Sequence, residues 1–303
     1  MAYNAKVLCD SLSPDGVRLI TMEVTFARCV LAEINTHRAF SRNSASSRAI
    51  PIAKMLQRVQ DDPFIPIYWG RNQSGMQANE ELTPEAQALA LEQWLLARDN
   101  AVKTVERLQS PDINLHKQIA NRLLEPFLYH TAIISATEWG NFWGLRCHPA
   151  AQPEIRKAAD LMRAEYDASE PFPVNYGDWH LPLVRHAEAF DLQVNGMSLD
   201  DVVKVSAGRC ARVSYLTHAG IRDPKADIEL CDRLVSSGHM SPLEHVARPM
   251  TREDAERLVC ASVDLPARHY IDIKQVFCGN YRGWVQARKE LQHEADFSAR
   301  PSV

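Results

Sequence analysis

Apolar and polar positions along this chain alternate in patterns that predict both strands and helices. Residues 17–26 are rich in β-branched side chains and partly alternate, which predicts a strand. Residues 29–34 are predicted to turn helical directly after it. Residues 128–137 are apolar and partly β-branched, so they fit either a strand or a buried helix.

Helical spacing and end signals predict the longer elements. Thr83 is a suitable N-cap and Pro84 a suitable first residue for a long helix that ends near Ser110. Further helices are predicted over residues 52–60, 114–124, 152–166, 199–211, 227–237 and 251–260, the last capped by Thr251. Loops or turns are predicted at 69–80, 168–182 and 239–245, a turn running into an amphipathic helix at 279–291, and a frayed tail at 293–303.

Composition narrows the class of protein. The chain has 303 residues, of which 46% are hydrophobic and 24% charged, and this is typical of a globular protein. Its net charge of -4 argues against a general nucleic-acid binder. Seven scattered cysteines without a CxxC pair, no long apolar run and no signal-peptide pattern in the first ten residues indicate a cytoplasmic protein with reduced thiols and no structural zinc site.

The segment from Asn35 to Arg48 is unusually polar for its position after an apolar run. It holds three arginines, one histidine and four serines, and it has no apolar face to bury. Arginine presents a fixed fork of donors that suits phosphate or another anion. A solvated basic loop is the alternative, and the segment alone does not separate the two.

Three motif blocks together resemble the flavin-dependent thymidylate synthases. The first is His37-Arg38, Ser41, Asn43, Ser46 and Arg48, which match the spacing of that family's Arg-His-Arg and serine motif. The second is Asn141-Phe-Trp-Gly-Leu-Arg146, followed by Ala151-Gln152 and Glu154-Ile155. The third is residues 211–214 together with His239-Met-Ser-Pro-Leu-Glu-His245.

The third block stands in an unusual place. In the family it precedes the first block, whereas here it follows about 200 residues later. A circular permutation that rejoins residue 246 to residue 17 would restore the order, and it is structurally inexpensive because termini often lie close together. The alternative is that a neighbouring subunit supplies the missing piece.

The resemblance implies a fold and a domain plan. The expected fold is α/β (α+β), with a mixed, mainly antiparallel sheet flanked by long helices. Residues 1–168 would form the catalytic core, 169–198 a connector, and 199–303 a C-terminal part that completes the same domain.

The resemblance also implies an activity and its cofactors. The expected reaction is reductive methylation of dUMP at C5, with FAD as cofactor and with NADPH and methylenetetrahydrofolate as co-substrates, in a homotetramer. The cofactor carries the redox chemistry while the protein orients and polarises the substrate.

Residue roles follow from the matched positions. Arg146 would be catalytic, because a cation beside the pyrimidine stabilises negative charge that develops on the base. Cofactor contacts would come from His37, Arg38, Ser41, Asn43, Asn141 and His245. Substrate contacts would come from Glu33, Ser44, Ser46, Ser47, Arg48, Arg122 and Arg146.

Several positions depart from the family pattern and keep other functions open. Thr36 replaces the first arginine, Ser44 a glutamate and Ser47 a glycine, while Glu33 stands where a glutamine is usual. The departures at Thr36, Glu33 and Ser44 leave a flavin- and folate-dependent hydroxymethylase of dUMP or dCMP, or another enzyme acting on dCMP, as an alternative. Glu33 in particular would accept from the exocyclic amine of cytosine better than a glutamine would. A non-catalytic nucleotide-binding homologue is a second alternative.

Overall fold

The computed structural model describes residues 3–215, 222–260, 271–291 and 294. In chain order the elements are β1 (Asn4–Leu12), β2 (Arg18–Ala27), α1 (Leu31–Asn35), β3 (Ser41–Ser44), α2 (Ile52–Asp61), α3 (Pro84–Leu108), α4 (Lys117–Ala120), β4 (Tyr129–Ala136), α5 (Gly140–Arg146), α6 (Pro153–Ala168), β5 (Phe172–Pro173), α7 (His186–Val194), α8 (Leu199–Ala211), α9 (Pro224–Ser236), β6 (Ala247–Pro249), α10 (Arg252–Cys260), β7 (Phe277–Cys278), β8 (Tyr281–Arg282) and β9 (Trp284–Gln286).

One five-stranded sheet organises the first half of the chain. Its strand order is β3-β4-β2-β1-β5. The three pairs among β1, β2, β3 and β4 are antiparallel, and only the two-residue strand β5 runs parallel to its neighbour β1. The sheet is therefore mixed and mainly antiparallel, and helices pack on it, which confirms the predicted fold class.

Strand β2 is buried on both faces because each face packs against a different part of the chain. Ile20 and Met22 join the cluster that contains Ile155 and Met162 of α6. Leu19 points the other way and packs with residues of the C-terminal part. Successive side chains of a strand face opposite sides, so this strand forms the floor of two cores.

The C-terminal part packs against the other face of the sheet and closes it. Ser241–Glu244 form a 3₁₀ turn that lies beside β3. His180 pairs through its backbone with Ala247 of β6, and β6 pairs in turn with β9. The third motif block thus contacts the first within one chain, which is the contact that the circular-permutation hypothesis requires.

Most predicted elements are confirmed. The strand at 17–26 is β2, the ambiguous segment 128–137 is the strand β4, and Thr83 caps α3 by accepting from the amide of Ala86 at 3.4 Å. Thr251 caps α10 in the same way, accepting from the amide of Asp254 at 3.2 Å.

Two predicted helices are wrong. The segment 114–124 contains only the short α4, followed by a 3₁₀ helix over Asn121–Phe127 that includes Pro126. The segment 279–291 forms β8, β9 and a 3₁₀ turn instead of a turn and helix. Gly279 and Gly283 have φ angles of 63° and 67°, left-handed values that interrupt a right-handed helix.

Some elements of the structure were not predicted from the sequence. Strand β1 and helix α7 were not predicted, and the range 169–198 holds β5 and α7. The tail at 293–303 lies outside the described residues apart from Glu294, and so do the side chains at 214 and 215. None of the helices in the described ranges combines the length and apolar character needed to cross a membrane.

Candidate functional site

Helix α5 carries Arg146 at its last residue, and an aromatic cluster fixes the helix. Phe142 is buried and its ring lies 5.0 Å from that of Phe40 and 4.9 Å from that of His37. Trp139 stacks on Trp143 with ring centroids 5.0 Å apart. These contacts hold α5 against the polar segment that follows α1.

Arg146 is bound to that polar segment rather than to a carboxylate. Its Nε donates to Nε2 of His37 at 2.9 Å, and Nη2 lies 3.5 Å from the hydroxyl of Thr36. A purely structural arginine would be expected to pair with Glu154 or Asp160, but within the described ranges it forms no ion pair. Most of its donors are consequently available to a ligand.

His37 is a neutral acceptor for Arg146. Burial, together with the positive charges of Arg146 and Arg42, lowers the pKa of His37 to about 4. Arg42 also donates to the backbone carbonyls of Ile34 and His37, at 3.0 Å each, which fixes the turn. The guanidinium of Arg146 is therefore oriented by a ring that stays uncharged at neutral pH.

Arg146 lines a large cleft. Its volume is about 1390 Å³, above the usual size of a small-molecule site. The cleft is lined by residues of the loop after Phe64, including Tyr68, Met76 and Asn79, and by most of the residues from 144 to 156. Glu33 lies on the same cleft, so the structure brings two predicted substrate residues together.

Glu33 is only partly satisfied in this cleft. Its Oε2 is buried and has no hydrogen-bond partner among the residues that the structure describes. Glu154 also lines the cleft, but it accepts from the backbone amide of Ile67 at 3.3 Å and from the side chain of Gln152 at 3.1 Å. Glu33 is thus the carboxylate with acceptor capacity to spare.

Three predicted cofactor residues are covered by the C-terminal part. The hydroxyl of Ser41 accepts from Gln286 at 3.0 Å, and the side-chain amide of Asn43 donates to the carbonyl of Cys210 at 2.6 Å. His245 is fully buried, and its Nδ1 lies 2.8 Å from Oγ of Ser135. Burial lowers the pKa of His245 to about 3, so the ring is neutral.

A second polar cluster forms around Glu125. Its Oε1 accepts from Ser47 at 2.6 Å, from Arg122 at 2.9 Å and from Arg28 at 3.3 Å. The adjoining cavity, of about 20 Å³, has room for one water molecule and not for a nucleotide. Ser47 and Arg122, two predicted substrate residues, therefore meet at this carboxylate.

The remaining predicted residues lie at or near the surface. Arg38, Arg48 and Asn141 are exposed, while Ser44 and Ser46 are half-buried. Ser46 accepts through its backbone carbonyl from the amides of Ala49 and Ile50.

In one chain the predicted residues thus form three groups. The first lies on the cleft (Glu33, Arg146, with His37 behind), the second around Glu125 (Ser47, Arg122), and the third under the C-terminal part (Ser41, Asn43, His245). His245 lines neither of the two cavities described above.

Four residues that line the cleft were not predicted from the sequence. They are Phe64, Tyr68, Asn79 and Trp94, and none belongs to a motif block. The one available signal was the long polar loop over 69–80, because long irregular loops in compact domains are often functional.

Comparison with known proteins identifies a family and shows a distant similarity to solved structures. The family model described as "Thymidylate synthase complementing protein" (Thy1) matches residues 16–172, just over half of the chain. No curated protein matches the sequence. A crystal structure of the UMP/dUMP methylase PolB from Streptomyces cacaoi bound with 5-Br dUMP is similar, with a TM-score of 0.45, 14% identity, and coverage of 55% of this chain and 90% of that one. The 5-Br UMP complex of PolB gives a TM-score of 0.43, 16% identity and coverage of 55% and 88%.

Proposed function

This chain belongs to the thymidylate synthase complementing protein family, and on that premise we propose that it is a flavin-dependent thymidylate synthase. It would transfer a one-carbon unit from methylenetetrahydrofolate to C5 of dUMP, with reducing equivalents from NADPH. The observation that carries the proposal is Arg146, which lacks a carboxylate partner in the described ranges and is aimed at the 1390 Å³ cleft by a neutral histidine.

Arg146 suits the electrostatic demand of the reaction. Attack by C5 of a pyrimidine requires negative charge to build on the ring, and a fixed guanidinium stabilises such charge without reorganising. His37 is neutral and bonds only to Nε of Arg146, so it orients the guanidinium without neutralising its charge. The cleft is also large enough for a nucleotide and a second ring system.

The predicted flavin residues fit the cofactor in part. Arg38 and Asn141 are exposed; Arg38 follows His37 in the sequence, and Asn141 lies on α5, the helix that ends at Arg146. Exposed side chains of these two types suit a phosphate or a ring edge. Ser41 and Asn43 have partners within the chain. When bound, the flavin would supply the electron pair that the reduction requires. Arg38 and Asn141 would hold the flavin.

Assembly would complete the nucleotide site. Arg48 and Arg122 lie outside the Arg146 cleft of their own chain. We propose that a homo-oligomer, a tetramer on the family pattern, brings them to a neighbour's cleft, where two arginines suit a phosphate dianion.

The test is release of tritium from [5-³H]dUMP in the presence of FAD, NADPH and methylenetetrahydrofolate. Arg146→Ala should lower the release rate by about 10²–10³-fold, the usual effect of removing one preorganised charge-stabilising group. Circular dichroism of the variant should match the parent, since Arg146 is the last residue of α5 and its side chain, among the described residues, bonds only to the side chains of His37 and Thr36.

Arg156→Ala is the matched control. Arg156 lines the same cleft but lies 3.6 Å from Asp160 in an exposed ion pair. It should retain most of the activity. Equal losses in both variants, or dUMP binding without any tritium release in the parent, would reject the proposal and favour a non-catalytic homologue.

Glu33 favours a second candidate, an enzyme that acts on dCMP. Its buried Oε2 has no partner among the described residues, and a free carboxylate oxygen accepts from the exocyclic amine of cytosine. Mass spectrometry of the product from dUMP and from dCMP separates the two bases. The same spectra separate a methyl from a hydroxymethyl product.

A further inference from the structure

Five buried side chains form a continuous polar chain across the sheet. The hydroxyl of Ser11 on β1 lies 2.9 Å from Nδ1 of His180, and Nε2 of His180 lies 2.7 Å from the hydroxyl of Thr21 on β2. Thr21 lies 2.6 Å from Oγ of Ser135 on β4, which lies 2.8 Å from Nδ1 of His245. All five residues are at most 1% exposed.

Each hydrogen bond in this series of five side chains contains one proton. Burial lowers the pKa of His180 and of His245 to about 3, so each ring is neutral and carries a single proton. Each hydroxyl likewise donates one proton. A hydroxyl that donates in one of its two links accepts in the other. When each hydroxyl proton is used within these links, the direction of one link therefore sets the direction of all the others.

The groups at the two ends of this hydrogen-bonded series determine the direction in which its members donate. At one end, Nε2 of His245 is buried and has no hydrogen-bond partner among the described residues. At the other end, Ser11 lies 3.8 Å from the sulfur of Cys9, a weak acceptor. An orphaned N–H donor is rarer in folded proteins than an under-satisfied acceptor, so Nε2 of His245 is the atom without a proton.

We propose that Ser11, His180, Thr21, Ser135 and His245 form one directed relay in which both histidines carry their proton on Nδ1. His245 donates to Ser135, Ser135 to Thr21, Thr21 to His180, and His180 to Ser11. His180 is in this sense a positioning residue, because it fixes the tautomer of His245 through two hydroxyls that separate them.

The relay leaves Nε2 of His245 as a buried acceptor that has no partner among the described residues. The relay itself rests on the geometry of the free chain and does not require the enzyme to be active.

The experiment is ¹⁵N NMR of the histidine rings in the ligand-free full chain, assigned with single histidine substitutions. In the parent, His180 and His245 should both be protonated on Nδ1. Thr21→Val removes the acceptor for Ser135, whose hydroxyl then donates to His245. The proton of His245 should move to Nε2, although Thr21 does not touch that ring.

Two further variants isolate the relay from general effects of substitution. Thr25→Val is the matched control, since Thr25 lies on the same strand and pairs with Thr131 at 3.0 Å, outside the relay. It should leave both tautomers unchanged, and Thr21→Ser, which restores a hydroxyl, should return the parent spectrum.

The proposal is overturned if His245 carries its proton on Nε2 in the parent, or if the two rings have different tautomers. It is also overturned if Thr21→Val and Thr25→Val change His245 alike. The parent spectrum is decisive even if Thr21→Val does not fold. Because no turnover is measured, failure here leaves the tritium-release test independent.

Discussion

At the scale of single residues, the unusual feature is a buried histidine that accepts from an arginine. Such a pair is stable only because the ring is neutral, and both burial and the two nearby guanidinium groups keep it neutral. The pair explains how Arg146 has a fixed orientation without a carboxylate, which would cancel its charge.

Arg146→Gln should therefore raise the pKa of His37. Removing one of the two cations leaves burial as the larger cause, so the pKa of His37 should rise above about 4 and stay below the ordinary histidine value of 6.5. An NMR titration of the ring measures it. Arg156→Gln is the control and should leave the pKa of His37 unchanged; an identical titration curve in the Arg146 variant would contradict the argument.

At the scale of elements, α8 and α9 approach so closely that one backbone position admits only glycine. A Cβ on Gly208 of α8 would lie 2.2 Å from the carbonyl oxygen of Asp227 on α9. Just beside it, the buried carboxylate of Asp227 pairs with Arg209 at 3.0 Å and Arg212 at 2.7 Å. The close approach and the ion pairs together fix this helical pair. The third motif block begins at Ala211, the last residue of α8, and resumes at His239, after α9.

Gly208→Ala should destabilise the protein by about 1–3 kcal/mol, because the helices must separate to admit the methyl group. Gly144→Ala is the matched comparison, since Gly144 also lies in a helix but has nothing within 4 Å of the added carbon. It should be neutral or stabilising by up to about 1 kcal/mol. Chemical denaturation of both variants gives the two free energies, and a similar loss in both would refute the packing argument.

At the scale of the whole molecule, neutral histidines lie where the C-terminal part meets the sheet. His180 and His245 are fully buried there, and His130 is buried on β4. Burial lowers the pKa of each to about 3, whereas a histidine in the unfolded chain has its ordinary pKa of 6.5. The unfolded state therefore binds more protons than the folded state throughout the range between these values.

Stability should consequently fall as the pH drops from about 7 to 3. Each depressed histidine contributes stability that is fully present above pH 6.5 and lost toward its folded pKa, roughly 3–5 kcal/mol per ring if it stays buried. Urea denaturation between pH 7 and pH 4 measures the slope. His180→Gln should flatten it and the exposed His239→Gln should not, so a stability that is constant over this range would contradict the assignment.

The sequence by itself determined what depends on neighbouring residues. The apolar pattern of β2, the caps Thr83 and Thr251, and the three motif blocks are local signals, and they gave the fold class, most elements and the family. Residues 279–291 show the limit, since their pattern suits a helix but two left-handed glycines turn them into strands.

Only the tertiary structure decided which residues meet. Arg146 and Glu33 share a cleft because α5 packs on the turn after α1, and Ser41 and His245 are buried because the C-terminal part folds back onto β3. Thr21, Ser135, His180 and His245 are far apart in sequence. The pairing of β2 with β4 places Thr21 beside Ser135, and side-chain hydrogen bonds join His180 and His245 to them. Long-range pairing depends on the burial of whole faces of the sheet, so no short sequence motif predicts it.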